Sequence, residues 1–340
     1  MMKHSRVSRS RELVLIAALA FTSTGCIYST TGNILSSYAV EHLVPHLMTA
    51  DDLSLACETG VSLNTLLLSF NRVTDEPHRA AAASWVAAAT CAEQQAVEAE
   101  LRQLRQLKAN RVAAAQDARI VEKKAHALAA ARYEKAYQHM VAVFGEPSEV
   151  CPSLDNDTDE LLWLLTMVGM INAVQHDRAS GGLRGIEMDT PRKVARSIKC
   201  LNNSKWWGVP DAVAAGVWLV IPGSVPENVE PWVVLEQAAT LGDKTGVRVA
   251  RAVQAQVAAA LGETDRIKKS IEAYAKSEAE VPAPAEWKML DALAKSQAQA
   301  LSDRLWTESA GHRTPIGQFG QFDEPAEEQE EDDVLDDLGD

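Results

Sequence analysis

The chain has 340 residues, of which 46% are hydrophobic and only 5% aromatic, and its formal net charge is -14. Eleven acidic residues lie in the last 18 positions, which hold no Lys or Arg, and removing their charge leaves -3 for the rest. No region offers the concentrated basic face that nucleic acids require, so we expect no nucleic-acid partner. Abundant alanine with few aromatic residues favours helix over sheet.

Residues 1–25 have the order of a bacterial lipoprotein signal peptide. Four basic side chains in the first 11 positions precede the apolar run Leu13–Phe21, and Ser23-Thr24-Gly25 leads into Cys26. Nine apolar residues span about 14 Å as a helix, roughly half of a bilayer core, which argues against a retained transmembrane anchor. We therefore predict cleavage before Cys26 and lipidation of its thiol.

A mature chain beginning at Cys26 has Ile27 as its second residue. In double-membraned bacteria an Asp at this place resembles an inner-membrane retention signal, and Ile27 does not. The predicted location is therefore the outer membrane, on its periplasmic face. Acyl chains that each contribute about 0.8 kcal/mol per buried CH₂ would anchor the protein stably. Residues 26–34 are predicted to form a short polar tether.

Helical periodicity without alternating strand patterns predicts an all-α domain over residues 35–310. The first helices are expected at 35–47 and 51–70. Residues 79–144 then contain neither Gly nor Pro, and one continuous helix of this length would measure about 99 Å, too long for a compact domain. Either a break near 108–110 makes a hairpin, or a helix projects from the body.

Four cysteines remain once Cys26 is assigned to lipid: Cys57, Cys91, Cys151 and Cys200. An even number in an oxidising compartment indicates two disulfides, for which three pairings exist. A turn near residues 73–77 lies midway between Cys57 and Cys91, so antiparallel helices leaving that turn would place the two side by side. We predict the pairs Cys57–Cys91 and Cys151–Cys200; the alternative is four unpaired buried thiols.

The second half of the chain is predicted to consist of short helices joined by short links. Proline and glycine place loops at residues 145–158, a candidate domain sub-boundary, and at 179–189. Short links force neighbouring helices to be antiparallel, and successive hairpins stack into an α-solenoid. The 34-residue repeat consensus is not cleanly present, so the expected architecture is a degenerate tetratricopeptide-like array of antiparallel helical hairpins.

Several features taken together resemble one family. They are the lipobox at Cys26, the helical layout over residues 51–277, the stretch 91–147, and SKWWGVPDAVAAGVWLVIPG at Ser204–Gly223. In these the chain resembles the T-component lipoproteins associated with tripartite ATP-independent periplasmic (TRAP) transporters, which are helical and tetratricopeptide-like. The resemblance implies an accessory component of solute uptake that contacts a periplasmic solute-binding protein and helps to handle a small apolar ligand.

The strongest candidate ligand site is a group of four tryptophans within 27 residues: Trp206, Trp207, Trp218 and Trp232. If they face one groove they could line an apolar pocket, with Arg184, Arg192 and Lys205 nearby for a carboxylate. The alternative is that they fill gaps between alanine-rich helices.

No catalytic signature is present, whether a GxSxG elbow, HExxH, a P-loop or a GxGxxG turn, and we expect neither enzymatic activity nor a cofactor. His42 and His46 have spacing that suits metal ligands on one helical face, but Pro45 disturbs that turn, and we predict no metal site. Residues 311–340 are predicted to be a disordered, solvated acidic tail. A structural scaffold in an envelope complex is the alternative function, and a homo-oligomer is compatible with either.

Overall fold

The computed structural model describes residues 27–74 and 77–322. Over these ranges the chain forms eleven helices and no strand, which confirms the predicted all-α fold of antiparallel helical hairpins. The predicted signal peptide, the predicted lipidation of Cys26 and the predicted disorder of residues 323–340 concern residues outside the described ranges.

The first helix, α1, is α-helical over residues 27–38 and continues through a π-helical turn, Ala39–Leu43, into Val44–Met48. The other ten are α2 Leu53–Ser69, α3 Pro77–Lys108, α4 Val112–Phe144, α5 Asp157–Ser180, α6 Thr190–Ser197, α7 Val209–Val220, α8 Pro231–Thr245, α9 Val249–Leu261, α10 Thr264–Glu280 and α11 Lys288–Ser309. Short 3₁₀ turns follow α6 at Ile198–Cys200 and precede α11 at Ala285–Trp287.

The long segment 79–144 is a hairpin rather than a projecting single helix. It breaks where the sequence predicts, at residues 109–111, because Asn110 adopts a left-handed conformation with φ 56°. The Arg111 amide closes the turn by donating to the Gln106 carbonyl at 2.8 Å. Small side chains line the contact between α3 and α4, which lets the two backbones approach closely: buried alanines include Ala88, Ala92, Ala96, Ala99, Ala118, Ala125, Ala129 and Ala136.

One hydrophobic core joins the two halves of the chain. Helix α5 supplies its centre and is buried on most faces, as its apolar sequence predicts. The same core cluster contains Val86 of α3, Trp163 of α5, Val213 of α7 and Leu290 of α11. Because residues before and after the loop 145–156 share this core, the loop does not separate two hydrophobic cores.

The two disulfides are the pairs that the sequence predicts. Cys57 in α2 is bonded to Cys91 in α3, with Cα atoms 5.4 Å apart, and Cys151 is bonded to Cys200 at 5.5 Å. The first bond clamps the α2–α3 hairpin. The second ties the loop before α5 to the turn after α6, so each disulfide holds a junction between helices.

The predicted tether at residues 26–34 requires correction, because residues 27–34 are already helical and pack on the body. Gly32, Ser36 and Ala39 recur at helical spacing and are all buried, which allows close approach. A Cβ on Gly32 would lie 3.1 Å from Phe70, and Asn33 accepts a hydrogen bond from the Thr74 hydroxyl. The absence of charge in this segment therefore reflects helix packing rather than a linker.

The predicted disordered tail at 311–340 also begins too early. The Phe319 ring meets Tyr274 edge-on at 5.8 Å, and the Trp306 indole N–H donates to the Gln321 carbonyl at 3.1 Å. Phe322 packs against the apolar cluster around Ile267. These aromatic contacts hold residues 311–322 on the helical body, so this part of the predicted tail is ordered.

Candidate functional site

Two of the four predicted ligand-site tryptophans belong to the core. Trp206 and Trp207 are 1% and 7% exposed, and their rings meet edge-on at 5.3 Å. Trp287, which precedes α11, contacts both at 6.0 and 4.9 Å. The Trp206 indole N–H donates to the Glu160 carboxylate at 2.6 Å. This group is a packed, satisfied aromatic junction, so the gap-filling alternative describes Trp206 and Trp207.

A tight turn of the backbone positions this aromatic junction between α6 and α7. Trp207 has φ 51°, and Gly208 has φ 82°, so two successive residues adopt left-handed conformations. A Cβ on Gly208 would collide with the backbone of Ala238 in α8, a contact that only glycine permits. The tight turn therefore presses the Trp206–Trp207 pair against the core and starts α7 beside α8.

Trp218 and Trp232 are partly buried at separate places. The Lys199 ammonium lies 4.8 Å from the centre of the Trp218 ring, and the Arg266 guanidinium lies 4.2 Å from that of Trp232. Among the described residues no ring contact joins either to Trp206 or Trp207. The structure therefore does not bring the four tryptophans into one groove, although Trp218 and Trp232 each present a cation–π pair at the surface.

The basic residues near the tryptophans are engaged with carboxylates of the same chain. Arg184 pairs with Glu134 at 3.0 Å, and Arg192 lies 3.5 Å from Asp189. Lys205 contacts Asp157 at 2.8 Å and Glu160 at 2.9 Å, and these hydrogen bonds raise its pKa. A ligand carboxylate would have to displace these internal partners.

Apolar cavities lie elsewhere in the core. A cavity of about 70 Å³ separates α1 and α2 from α3 and α11, and Leu43, Leu47 and Met48 of α1 cover it. A second, of about 40 Å³, shares Val86 and Leu165 with the first. Engineered cavities that admit benzene are about 150 Å³. Neither cavity accommodates an organic ligand of ordinary size unless α1 moves.

A chain of four ionisable side chains crosses the α3–α4–α5 interface, and sequence reasoning missed it. The Glu93 carboxylate contacts His176 Nε2 at 2.7 Å, His176 Nδ1 contacts His126 Nδ1 at 2.8 Å, and His126 Nε2 lies 3.7 Å from Glu122. Partners sit on opposite nitrogens of each ring, so the four groups form a line rather than a cage. The first two contacts are at hydrogen-bond distance, and the third is a longer electrostatic contact.

The surroundings of this chain are also charged. Burial raises the pKa of Glu122, but the neighbouring His126 and the hydrogen bond and charge of Arg119 outweigh it and leave the pKa lowered. Burial raises the pKa of nearby Glu100, against the opposing charge of Arg304. Glu122 Oε2 is buried with no hydrogen-bond partner among the described residues. No sequence signal reveals this cluster, because 50 residues separate His126 from His176.

His42 and His46, the spacing considered for metal, are both exposed on α1. The His42 ring packs against Tyr38 at a tilt of 49°, with ring centres 5.0 Å apart. Across the described ranges, no group of three or more His, Cys, Asp or Glu side chains is arranged to hold a metal ion. None of the helices in those ranges is both long and apolar enough to span a membrane.

Comparison with known proteins yields no relative: no family model matches the chain, and neither the curated proteins nor the solved structures contain a match. The resemblance to TRAP-associated T-component lipoproteins therefore stays a prediction from sequence layout.

Proposed function

We propose that this protein is a lipid-anchored component of a bacterial envelope that acts by binding rather than by catalysis. One observation carries the proposal: basic residues, a nine-residue apolar run and Ser-Thr-Gly precede Cys26 in the order of a lipoprotein signal. Two disulfides support it, because such bonds persist in oxidising compartments. The anchor is the acyl group on Cys26, and the address is the periplasmic face of the outer membrane.

The proposed partner is a soluble periplasmic solute-binding protein, and the proposed role is that of an accessory component of TRAP-type solute uptake. The resemblance in layout supports this choice, as do the successive antiparallel helices α7–α10, whose exposed faces suit protein contacts. The partly buried tryptophans Trp218 and Trp232 are the residues we assign to such contacts, since Trp and Arg are enriched among the residues that contribute most to interface binding energy.

The test is a crosslinked pull-down of the full-length lipoprotein from membranes, with partners identified by mass spectrometry. Recovery of a periplasmic solute-binding protein is the expected result. Trp218→Ala and Trp232→Ala should each reduce its recovery, whereas Met188→Ala, which alters an exposed apolar side chain elsewhere on the surface, should not. Absence of any solute-binding protein from a crosslinked sample that contains other envelope proteins would contradict the transport role.

A second candidate function, a scaffold in a multi-protein envelope complex, is favoured by the long α3–α4 hairpin. Its helices contain 32 and 33 residues and so measure about 48–50 Å, the longest elements in the described chain. Co-purification with a large membrane assembly, lost when charges at the hairpin turn are reversed, would select this function over transport.

A further inference from the structure

The turn of the α3–α4 hairpin gathers positive charge in an otherwise acidic protein. From Leu101 to Gln116 the chain holds four basic residues and no acidic one. They are Arg102, Arg105, Lys108 and Arg111, and we call these four the basic tip. The net charge of the whole sequence does not reveal this local group. The basic tip is too small to form a nucleic-acid face but large enough to attract an acidic peptide.

The basic tip is available for binding. In the part of the chain that the structure describes, the guanidiniums of Arg102, Arg105 and Arg111 have no ion-pair partner, although most other arginines on the helices do. Beside them Leu107 is 48% exposed and Val112 is 59% exposed. The surface therefore combines unpaired positive charge with two exposed aliphatic side chains.

The acidic segment of the same chain starts close to the basic tip. Phe322 is the last described residue, and the Gln321 carbonyl is held by Trp306 of α11. Ser309 follows Trp306 by about 4.5 Å along that helix, and its carbonyl accepts a hydrogen bond from Lys108 of the basic tip. Arg313 pairs with Glu98 of α3 nearby. The C-terminal end of the ordered body thus runs along the end of α3.

We propose that the acidic segment, residues 323–340, docks on the basic tip. The segment carries eleven carboxylates and no basic residue, and Val334, Leu335 and Leu338 lie among them to meet Leu107 and Val112. Eighteen residues span up to about 60 Å when extended, which more than covers the path from Phe322. Tethering gives a local concentration on the order of millimolar, so weak individual ion pairs suffice. The inference does not depend on the proposed lipid anchor.

When it is docked, the acidic segment competes with other anionic partners for the basic tip. Screening limits the attraction to about 8 Å at physiological salt, so the segment must lie against the basic tip to be held there. An external acidic partner would therefore have to displace the chain's own residues.

The test uses a zero-length carbodiimide, which joins lysine amines to carboxylates in contact, on the full chain, with crosslinks located by mass spectrometry. We expect Lys108 to crosslink to residues 323–340. The variant Arg102→Gln/Arg105→Gln/Arg111→Gln should lower this crosslink roughly fivefold, as should about 0.5 M salt, where the Debye length is about 4 Å. Lys268 lies 5.6 Å from the Phe322 ring and serves as the internal standard for mere proximity.

The matched control is Arg72→Gln/Arg178→Gln/Arg196→Gln, which removes the same charge at exposed arginines outside the basic tip and should leave the Lys108 crosslink unchanged. Circular dichroism checks that both variants remain folded. Equal Lys108 crosslinking in the two variants, or crosslinks only between isotopically light and heavy chains, would overturn the proposal. A third outcome would also overturn it: no Lys108 crosslink forms, and the wild type binds phosphatidylglycerol vesicles whereas the basic-tip variant does not. That result would identify a membrane surface as the occupant.

Discussion

Different interactions stabilise the two halves of the helical body. In the α3–α4 hairpin, long helices approach through buried alanines, and the Cys57–Cys91 bond clamps α2 alongside. In α8–α11, helices of 13 to 22 residues are joined through buried arginines. Arg248 is 1% exposed and reaches Asp291, Ser277 and the carbonyls of Gly246 and Val281.

Helix length affects which interactions can hold neighbouring helices together. Alanine loses no side-chain entropy on burial, so a long antiparallel hairpin gains stability from many small contacts. Short helices offer few such contacts, and a planar guanidinium that bonds several neighbours fixes their relative positions instead. Arg251 does the same for α8 and α9, where Glu236 and Asp243 accept its hydrogen bonds. Close packing of small side chains therefore dominates the contact between α3 and α4, whereas buried arginine contacts connect α8–α11.

The largest expected effect comes from breaking the arginine junction. Arg248→Met leaves the Asp291 carboxylate buried without its partner, which should lower the free energy of unfolding by about 3–5 kcal/mol in urea titrations. Hydrogen exchange should rise in α9–α11 before it rises in α3–α4. The conservative change Arg248→Lys keeps the charge but loses the fork, and should cost less. Equal stability of the methionine variant and the wild type would show that the junction does not hold this half.

Removing the disulfide of the first half should have the next largest effect. Cys57→Ala/Cys91→Ala opens a closure over 34 residues and should lower the free energy of unfolding by roughly 2–4 kcal/mol. Differential scanning calorimetry of the oxidised wild type, the double variant and the reduced wild type measures the loss. A double variant as stable as the oxidised wild type would mean that alanine packing alone holds α2 on α3.

A smaller effect tests the close packing directly. A Cβ on Gly60 of α2 would lie 2.6 Å from the Ser84 carbonyl oxygen and the Ala88 amide nitrogen of α3, so Gly60→Ala should cost about 1–3 kcal/mol through helix separation. Gly262→Ala is the comparison, because a Cβ there meets nothing within 4 Å and only its φ of +73° is strained. Gly60→Ala should cost more; the reverse order would argue against close approach of α2 and α3.

The smallest effect is a pH dependence of the α3–α4 hairpin. His139 of α4 contacts His78 of α3 at 2.9 Å, and burial, with help from His78 and Lys135, lowers its pKa to about 4. A histidine whose folded pKa lies below its unfolded value stabilises the fold fully above the unfolded pKa, near 6.5, and loses this as pH falls toward 4.

We therefore expect the free energy of unfolding to fall by about 1–2 kcal/mol between pH 6.5 and 4 through His139, after allowance for its partial exposure. His139→Gln should remove that part of the pH dependence, and His46→Gln, which alters an exposed histidine, should not. Parallel pH curves for wild type and His139→Gln would contradict the assignment.

Local signals predicted much of the fold. Proline and glycine marked most helix ends, and the distance of Cys57 and Cys91 from a shared turn indicated their pairing. The candidate site was harder to predict because the side chains that contact each other there are remote in sequence. Trp206 and Trp207 are completed by Trp287, eighty residues later, and Arg248 is completed by Asp291. Periodicity reports which face of a helix is buried, but not which distant side chain it meets.

The same limit explains the two corrected boundaries. Residues 27–34 contain no charge, which is typical of a tether, yet Gly32 and Ala39 mark a helix face that needs close neighbours. Residues 311–322 adjoin an acidic run, and only the partners of Phe319 and Phe322 reveal that they are ordered. Composition describes solvation of a segment, whereas order depends on contacts with the rest of the chain.

The intact mass of the protein extracted from bacterial membranes tests for a lipid anchor at Cys26. We expect a mature chain that begins at Cys26, with an N-terminal peptide whose mass is increased by two or three acyl chains, and loss of this form in Cys26→Ala. A chain that retains residues 1–25, or an unmodified Cys26 in membrane-extracted protein, would contradict the envelope anchor and the function proposed from it.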